Sequence, residues 1–528
     1  MPFDKDNLAQ VTWHWNCAPE CWAGTARGRY FSNNLARVPG MRQLIVAMAA
    51  LLLFTVAAAR NEDAAAGSEA MFSVSLGERQ LFLDDHGVAN IDNLKCTMHQ
   101  PMKKGAVVRP DKDQGETVFQ IRSAPCWDRD AHVFKFAVAG TGGPTTVTTI
   151  WESTDGLHWR RGAVSDTPFY CVVYDGTDPN PARRYKSLRH TARGLVPMVS
   201  PDMVTWTPLE AEPISSSDEY NLSFDEKQHL FIATPKVGGP HGRSVALATS
   251  EDFQNWTDYG LVFHADDLDQ ELGRKNIEAR LADPRLLQPF HNDPAAYKVD
   301  VYNMGVFRYE GVYLGLPPMY HATGPIPNYP NTDGFHLIQL TCSRDLRTWQ
   351  RLGNRAAFIG PSAVGEGAYD LTQLIGPSSA VLRADELWFY YTGLKYRASW
   401  KYVGEYPHGK MVPLPGLDAD GGAICLAVLR RDGFISLDAG GDGGTVVTAP
   451  FRMSGHALFV NVDAPKGELR VEVLGRDGNV LAVSAALVGD SPRARVKWKR
   501  GSVARLSGQM VRLRFALRNA SLYSYWLE

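Results

Sequence analysis

The chain has 528 residues, 44% of them hydrophobic, and its 55 Lys and Arg residues nearly balance 57 Asp and Glu residues, for a formal net charge of −2. This length is sufficient for two domains, and 48 glycines and 32 prolines are typical of a loop-rich all-β protein. The near-neutral charge, with no basic stripe, argues against a nucleic-acid partner.

Residues 1–70 predict a leader rather than part of the fold. The apolar run at 44–59 follows Met41 and Arg42 and precedes small residues, which is the layout of a secretory signal peptide. The run is short for a membrane span. Because a signal normally starts a chain, we expect translation to begin at Met41. The mature protein is then secreted or periplasmic, with no stable membrane insertion; a single uncleaved anchoring helix is the alternative.

A repeated pattern, SxDxxxW, organises the region after the leader. Its four copies begin at Ser153, Ser200, Ser250 and Ser343 and end at Trp159, Trp206, Trp256 and Trp349. Ser and Asp side chains bond the backbone of tight reversals, so each copy predicts a turn between antiparallel strands, with the Trp lying between neighbouring sheets. The first three Trp residues are roughly 50 positions apart, which is the length of a four-stranded propeller blade.

The remaining spacing predicts five blades. The interval from Trp256 to Trp349 is nearly double the others, so we interpret it as one blade plus an insertion at 266–294, which is rich in charge and proline. A degenerate fifth copy lies at 429–434, where Phe434 replaces the Trp. We therefore predict a five-bladed β-propeller over 71–440, in which radially repeated sheets bury both faces of each blade.

The predicted strands follow this repeat. Residues 71–85 alternate in polarity, and we expect them to pair with the last blade and close the ring. A long loop at 395–421 carries four aromatic residues that are candidate stacking platforms for a sugar ring or supports of the loop itself. In chain order the blade strands are 131–138 and 147–153; 172–174 and 185–189; 222–224, 230–234 and 244–249; 306–309, 312–316 and 335–341; and 379–382, 387–392 and 424–429.

The blade pattern disappears after the glycine-rich break at 440–444. Alternating segments at 458–460, 469–474, 494–498 and 510–517 predict a separate β-sandwich over 441–528. This module contains no obvious chemistry, and we expect it to support the propeller.

Several motifs resemble the secreted glycoside hydrolases of families 32 and 43. Residues 309–313 read YEGVY and are similar to the YEGxY hairpin of the family 32 catalytic module, and a propeller followed by a sandwich is the order found there. The segments LFLDD at 81–85, HQP at 99–101 and LRNASLYSY at 517–525 resemble a large group of bacterial secreted proteins described as family 32-like. The resemblance implies a hydrolase acting on glycans.

The chain departs from family 32 at the positions that carry its chemistry. It has no WMNDPNG stretch, which contains the family's nucleophile, and no EC stretch at the place where the family's acid is expected. Its Asp283–Pro284 pair follows Ala282 and lies in the predicted insertion rather than in an RDP stretch. The catalytic residues therefore have to be sought from the chemistry.

Glycosidic bonds break through an oxocarbenium-like transition state that requires one carboxylic acid and one carboxylate. In a propeller, such groups have to lie where the innermost strands begin, around the central axis. Asp300 precedes the first strand of blade four, and Asp370 stands before blade five with Glu366 nearby. We predict that Asp300 pairs with Asp370, or with Glu366, as the catalytic carboxylates.

Other residues at the predicted mouth are candidates for binding substrate. Glu116 and Asp218 precede blades one and three and are expected to hold sugar hydroxyls, and Asp85 joins them if the first strand returns to the axis. The set is completed by Tyr302, His321 and Trp400. Each acid also has an ordinary alternative role in a turn or an ion pair with Arg.

No cofactor or metal site is predicted, although a central structural ion remains open. The five cysteines after the leader show no CxxC or Cys/His spacing, which argues against a zinc site or a disulfide framework. His99, His321 and His336 are candidates for binding either substrate or such an ion.

The sequence leaves three functions open. The first is a secreted glycoside hydrolase acting on an oligo- or polysaccharide, with paired carboxylates in the central funnel. The second is a non-catalytic glycan-binding propeller, which would explain the missing family 32 motifs. The third is an enzyme resembling the β-mannoside phosphorylases, which needs a cationic pocket for phosphate.

Overall fold

The computed structural model of the chain describes residues 72–141, 146–365 and 367–528. The leader, with its signal segment and the expected start at Met41, lies outside these residues. Nothing helical in the described ranges is both long and apolar enough to span a bilayer. The described residues form almost only strands, with one α-helix, so the chain is all-β as predicted.

The first strands pair with the C-terminal part of the chain. They are β1 (Gln80–Leu81), β2 (Val88–Asp92) and β3 (Lys95–Met98). Gln80 is paired with Tyr525, and Phe82 is buried in the same core as Phe515 and Leu522. The predicted pairing of residues 71–85 with the last blade is therefore wrong, because their apolar side chains complete the core of the C-terminal sheet instead.

The next strands begin the repeated region. They are β4 (Met102–Val108), β5 (Val118–Gln120), β6 (Cys126–Asp128), β7 (Val133–Thr141), β8 (Val147–Ser153) and β9 (Arg160–Val164). Strands β5, β7, β8 and β9 are antiparallel neighbours in that order, and β6 extends the β5 side. Asp128 accepts hydrogen bonds from the backbone N–H groups of Asp130 and Ala131, which stabilises the turn between β6 and β7.

Two separate four-stranded antiparallel sheets follow. The first contains β10 (Val173–Tyr174), β11 (Tyr185–Thr191), β12 (Gly194–Ser200) and β13 (Thr207–Pro208). The second contains β14 (Tyr220–Asp225), β15 (Leu230–Gly239), β16 (Gly242–Ser250) and β17 (Thr257–Phe263).

A helix occupies the predicted insertion. Helix α1 (Asp267–Ala282) begins at the Asp266 cap, whose side chain and that of Asp269 accept each other's backbone N–H bonds. Gly273 lies directly against Val299, where a Cβ atom would clash, so the glycine permits close packing of the helix on the following strand.

The following group has three long strands that are each interrupted once. Its segments are β18 (Lys298–Val301), β19 (Gly305–Tyr309), β20 (Val312–Leu316), β21 (Pro318–Pro325), β22 (Thr332–Ile338), β23 (Thr341–Ser343) and β24 (Gln350–Arg351). They form two sheets, β18-β21-β22 and β19-β20-β23-β24. The breaks occur at matching places in the three strands. The two sheets therefore follow one another along the same group of strands.

The last group takes its outer strand from the N-terminal side of the chain. Its segments are β25 (Gln373–Ile375), β26 (Val381–Arg383), β27 (Glu386–Leu394), β28 (Trp400–Val403), β29 (Lys410–Pro413) and β30 (Gly422–Arg430). Strand β30 pairs with β27 on one side and with β4 on the other. The β28–β29 hairpin lies within the loop predicted at 395–421.

The C-terminal strands and β1 to β3 form one 12-stranded sheet. The added strands are β31 (Ile435–Ala439), β32 (Gly444–Thr448), β33 (Phe451–Arg452), β34 (Leu458–Leu474), β35 (Val480–Ser484), β36 (Leu487–Arg495), β37 (Trp498–Arg500), β38 (Met510–Arg518) and β39 (Ala520–Leu527). The degenerate repeat at 429–434 leads into β31, which pairs with β3 and β39. It is therefore not a hairpin within a blade.

Short 3₁₀ helices lie between these elements. They are Lys112–Gln114, Pro181–Arg183, Pro294–Ala296, Gly353–Arg355 and Val503–Arg505.

The four SxDxxxW copies have the same geometry and join the third and fourth strands of four groups. In each, the Asp accepts a hydrogen bond from the Ser hydroxyl at 3.0 Å. The same Asp accepts two backbone N–H bonds at 2.7 to 2.9 Å. Each Trp indole N–H donates to the carbonyl three residues earlier. The predicted repeated turn is confirmed.

We expect Asp345→Ala to lower the free energy of unfolding by about 1–2 kcal/mol, because it removes the acceptor for the N–H groups of Arg347 and Thr348. Urea denaturation measures the difference. The exposed Asp442, changed to Ala, is the matched control. Equal effects of the two substitutions would show that the turn hydrogen bonds contribute nothing.

Candidate functional site

Polar side chains from several strand groups lie together in a cluster that we call the hub. Its members are Arg122, Asp218, Glu219, Lys236, Arg243, Asp300, Tyr302, Asn303, Tyr320, His336 and Arg397. Arg122 follows β5, Glu219 precedes β14, and Tyr302 follows β18. The Arg122 guanidinium donates two hydrogen bonds to the Glu219 carboxylate, both at 3.1 Å, and the Tyr302 hydroxyl donates a third at 3.0 Å. Three strand groups therefore meet at one carboxylate.

Glu219 is held as an anion. Burial by itself raises the pKa of this carboxyl, but the charges of Arg122 and Lys236 and the hydrogen bonds from Arg122 and Tyr302 outweigh burial and bring the pKa to about 2. Its side chain is 18% exposed. Glu219 can therefore stabilise positive charge or accept a proton, but it does not supply one near neutral pH.

Asp300 has the opposite electrostatic character. It lies on β18 with only 7% of its surface exposed, and burial raises the pKa of its carboxyl despite the charges of Arg243, Lys298 and Lys236. The Arg243 guanidinium is 3.5 Å from Asp300 Oδ1, and this oxygen has no hydrogen-bond partner among the described residues. Asp300 is therefore suited to carry a proton and to donate it.

Cationic side chains surround the two acids. Lys236 lies 3.0 Å from Asp218, and its ammonium group is 4.2 Å from the centre of the Tyr302 ring. Two guanidinium groups face the Tyr320 ring, Arg243 at 4.8 Å and Arg397 at 5.3 Å from its centre. The ring faces attract these cations and help to hold them at the hub.

Two neutral polar side chains of the hub are completely buried. His336 is 0% exposed, and its Nδ1 lies 3.0 Å from the Leu374 carbonyl, to which it must donate. Its Nε2 then carries no proton and has no hydrogen-bond partner in the described ranges. Burial, together with the charges of Arg397 and Arg243, lowers the pKa of His336. Asn303 is 1% exposed and has neither amide atom paired within those ranges.

The predicted catalytic partners of Asp300 lie in different surroundings. Asp370 accepts hydrogen bonds from Lys103 at 2.7 Å and from the Tyr391 hydroxyl at 2.8 Å. Asp300 instead has Arg243 and Lys298 as neighbours, so the two carboxylates have separate sets of partners. Glu366 lies outside the described residues. The predicted pairs stay predictions.

The predicted substrate-binding acids are also in separate places. Asp218 is at the hub, paired with Lys236. Glu116 forms an ion pair with Arg161 and accepts the N–H of Asp111, beside the start of β5. Asp85 is exposed, in the segment that joins the C-terminal sheet rather than the hub.

His321 is fixed within the protein interior. Its ring stacks on Phe335 at 4.9 Å, Nδ1 faces the Met319 carbonyl, and Nε2 faces the Asn276 amide. Burial lowers the pKa of His321 to about 4, so it is neutral at physiological pH.

The aromatic residues of the 395–421 loop gather around Tyr329. The ring centres of Trp400, Tyr402 and Tyr406 lie 4.7, 5.4 and 5.6 Å from that of Tyr329. Burial and the neighbouring Tyr406 raise the pKa of Tyr329, and the charge of Arg397 opposes the rise. Tyr406 is 40% exposed, so part of the cluster is accessible to a ligand.

The sequence did not identify Arg243 or Arg397 as site residues. Asp218 and Glu219 both precede the first strand of the third group, and Asp218 was the one predicted to bind substrate, whereas Glu219 is the acid that Arg122 and Tyr302 contact. Arg243 is in β16 and Arg397 is in a long loop, and nothing in their local sequence separates them from other surface arginines. In the parts of the chain that the structure describes, no cluster of three or more His, Cys, Asp or Glu residues is placed to hold a metal ion.

No protein-family model and no curated protein matches the chain. Similar solved structures include a family 32 β-fructofuranosidase from Bombyx mori, with 10% identity, coverage of 81% of this chain and 94% of that chain, and a TM-score of 0.34. A family 43 arabinoxylan arabinofuranohydrolase from Bacillus subtilis has 8% identity, 77% and 96% coverage, and a TM-score of 0.29. A structure from the family 130 mannoside phosphorylases and hydrolases has 13% identity, 66% and 96% coverage, and a TM-score of 0.34. The family of this chain stays a prediction.

Proposed function

We propose that the chain is a glycan-active enzyme that cleaves a glycosidic bond at the hub, with Asp300 as the proton donor. The observation that carries this proposal is the contrast between two hub carboxyl groups. Burial favours the protonated form of Asp300, whereas Arg122 and Tyr302 hold Glu219 as an anion. Carboxyl groups whose environments move their pKa values apart are typical of acid and base roles at one site.

The architecture that we propose is a five-bladed propeller closed by β4. The blades would be β5 to β9, β10 to β13, β14 to β17, β18 to β24, and β25 to β30 with β4. Residues 99–434 then form the propeller, and residues 72–98 with 435–528 form the accompanying sheet. The hub supports this arrangement because the residues that meet there come from the first strands of different groups.

Each hub acid has a distinct role in the proposed cleavage. Asp300 would protonate the leaving oxygen, and an anionic carboxylate would stabilise the oxocarbenium-like transition state or activate water. Glu219 is one candidate for the second role, and Asp370 and Glu366 remain the candidates predicted from sequence. A Glu219→Gln, Asp370→Asn and Glu366→Gln series, compared at fixed pH, identifies the second carboxylate as the one whose loss most lowers kcat.

The cleavage test uses a panel of plant and algal polysaccharides and aryl glycosides. We expect the chain to release oligosaccharides or sugar from at least one class, detected by chromatography and mass spectrometry, with Asp300→Asn as the comparison. A chain that binds a glycan but releases no product would overturn the enzymatic proposal in favour of the glycan-binding alternative. Secretion into the medium or periplasm is tested separately by fractionation.

We expect Trp400→Ala to raise KM about tenfold with little change in kcat, because loss of a stacking face removes sugar binding remote from the reacting bond. Steady-state kinetics on the best substrate of the panel gives both constants. Trp127→Ala is the control, since Trp127 is a 40% exposed indole on β6 outside the loop cluster. Equal KM values for the two variants would contradict a role for Trp400 in binding.

A further inference from the structure

Arg397 is a hub cation with no carboxylate at ion-pair distance among the described residues. Burial by itself lowers the pKa of Arg397, but the neighbouring Tyr320 and Tyr302, followed by the charge of Asp333, outweigh burial and raise it. Within the described ranges, Arg397 forms no ion pair with a carboxylate, and its Nε atom has no hydrogen-bond partner. Burying an unpaired guanidinium is costly, so such a group is usually paired with an anion.

Arg243 is in a similar position once Asp300 is protonated. Its nearest carboxylate oxygen is Asp300 Oδ1, at 3.5 Å, and the Arg243 Nη1 atom has no hydrogen-bond partner among the residues described. The proposed cleavage requires Asp300 to hold a proton before the reaction. In that state Arg243 and Arg397, which face the same Tyr320 ring, both lack an ion-paired carboxylate within the described ranges.

His336 adds a buried polar atom next to these cations. Its ring centre lies 5.3 Å from that of Tyr320 and 4.6 Å from that of Tyr302. Its Nε2 is buried and unpaired within the described ranges. A ligand hydroxyl is the group that such an acceptor binds, and protonated oxyanions and sugars both carry one.

We propose that Arg243 and Arg397, with His336 Nε2, form an oxyanion-binding subsite beside Asp300. This inference deepens the proposed function and rests on it, because it assigns an anionic group to the ligand of the same hub. Guanidinium groups bind carboxylate and phosphate through paired, charge-assisted hydrogen bonds. The oxyanion would compensate the two guanidinium charges without taking the proton from Asp300.

The oxyanion has two chemical sources. It can be the carboxylate of an acidic sugar within the glycan, which fixes the substrate class as a uronate-containing glycan. It can also be inorganic phosphate as a second substrate. In that case a phosphate oxygen bonds to the anomeric carbon as the glycosidic bond breaks, the bonding electrons go to the leaving oxygen, and Asp300 protonates it. The products are a sugar 1-phosphate and a shortened glycan.

The binding test titrates the full chain with sodium glucuronate and with potassium phosphate, using glucose and potassium chloride at matched ionic strength as references. We expect calorimetric binding of at least one oxyanion and of neither reference. Arg397→Gln should weaken it about tenfold or more, since a charged hydrogen bond is lost. Arg347→Gln, which removes an exposed arginine lying 4.4 Å over Tyr259, should leave the affinity unchanged.

Two further variants keep the test decisive. If Arg397→Gln does not fold, Arg397→Lys replaces it, because it retains the charge and removes the planar fork; we expect several-fold weaker binding. Asp300→Asn should bind the oxyanion at least as tightly as the native chain, because Asn, like the protonated acid, carries no negative charge. Full activity in Asp300→Asn would contradict the cleavage proposal. The affinity of the same variant for the oxyanion tests the subsite alone.

The outcomes separate the sources and decide the proposal. Binding of glucuronate, with faster cleavage of uronate-containing glycans, assigns the subsite to an acidic sugar. Binding of phosphate, with cleavage that requires phosphate and yields a sugar 1-phosphate, assigns it to a second substrate. Absence of oxyanion binding, or equal affinity in the native chain and the Arg397 variant, would overturn the subsite.

Discussion

Asp300→Asn is expected to lower kcat/KM by about 10²- to 10⁴-fold, which is the usual contribution of a positioned general acid. The substitution preserves the shape of the side chain and removes its ability to donate a proton to the leaving oxygen. It should not lower the free energy of unfolding at pH 7, because Asp300 Oδ1 makes no hydrogen bond to a described residue and the buried charge is unfavourable. Kinetics and urea denaturation on the same samples measure both effects.

The control is Asp267→Asn, which makes the same chemical change at a fully exposed position in the first turn of α1. We expect this variant to retain native kinetics. Retained activity in Asp300→Asn would remove Asp300 from the mechanism, and loss of folding in that variant would show that its role is structural.

The pH dependence follows from the raised pKa of Asp300. A general acid works only when protonated, so kcat/KM should fall as pH rises through the pKa of the folded protein. The free energy of unfolding should also fall as pH rises. The stabilising contribution of Asp300 is fully present below the pKa that this carboxyl has in the unfolded chain, and it is lost as pH rises through the higher pKa of the folded protein. In Asp300→Asn, this loss of stability with rising pH should disappear.

Glu219→Gln is expected to lower the free energy of unfolding by about 3 kcal/mol, because it leaves the Arg122 guanidinium buried without a counter-charge. We place the effect at the lower end of the range for buried ion pairs because the Glu219 side chain is 18% exposed. Arg122 is 3% exposed, and apart from the uncharged amide oxygen of the introduced Gln, its acceptors among the described residues are Gln120 and a backbone carbonyl. Equilibrium denaturation in urea measures the loss.

The matched control for this ion pair is the double variant Arg122→Met with Glu219→Gln. Removing both charges should recover part of the stability, because the penalty comes mainly from the unpaired guanidinium. Independent, additive effects of the two substitutions would contradict the coupling. The contribution of Glu219 should be present above its unfolded pKa and lost as pH falls through about 2, since the folded pKa is lowered to that value.

The repeated turns were predictable because their cause is local. In SxDxxxW, the Ser and Asp side chains and the Trp indole bond to backbone groups no more than three residues away. Alternation of polar and apolar residues likewise predicted segments that overlap observed strands of the repeated region, although it missed others such as β12 and β21. Such features depend on neighbours in the chain, so one sequence contains the information needed to infer them.

Long-range pairing was not predictable in the same way. Residues 71–85 were predicted to pair with the last strand group, but β4, for which the sequence predicted no strand, takes that place. The choice depends on which apolar faces fit together: Phe82 packs with Phe515 and Leu522, whereas β4 pairs with β30.

The sequence by itself determined the all-β class and the repeated turns, and it supplied Asp218 and Asp300 as candidates, although Asp300 lies within β18 and not before the strand as predicted. Only the tertiary structure decided which side chains meet: it brought Arg122, Glu219 and Tyr302 together from three strand groups and added Arg243 and Arg397. The electrostatic character of a carboxyl group depends on burial and on charges from distant positions. Asp300 and Glu219 therefore look alike in sequence and differ in the folded protein.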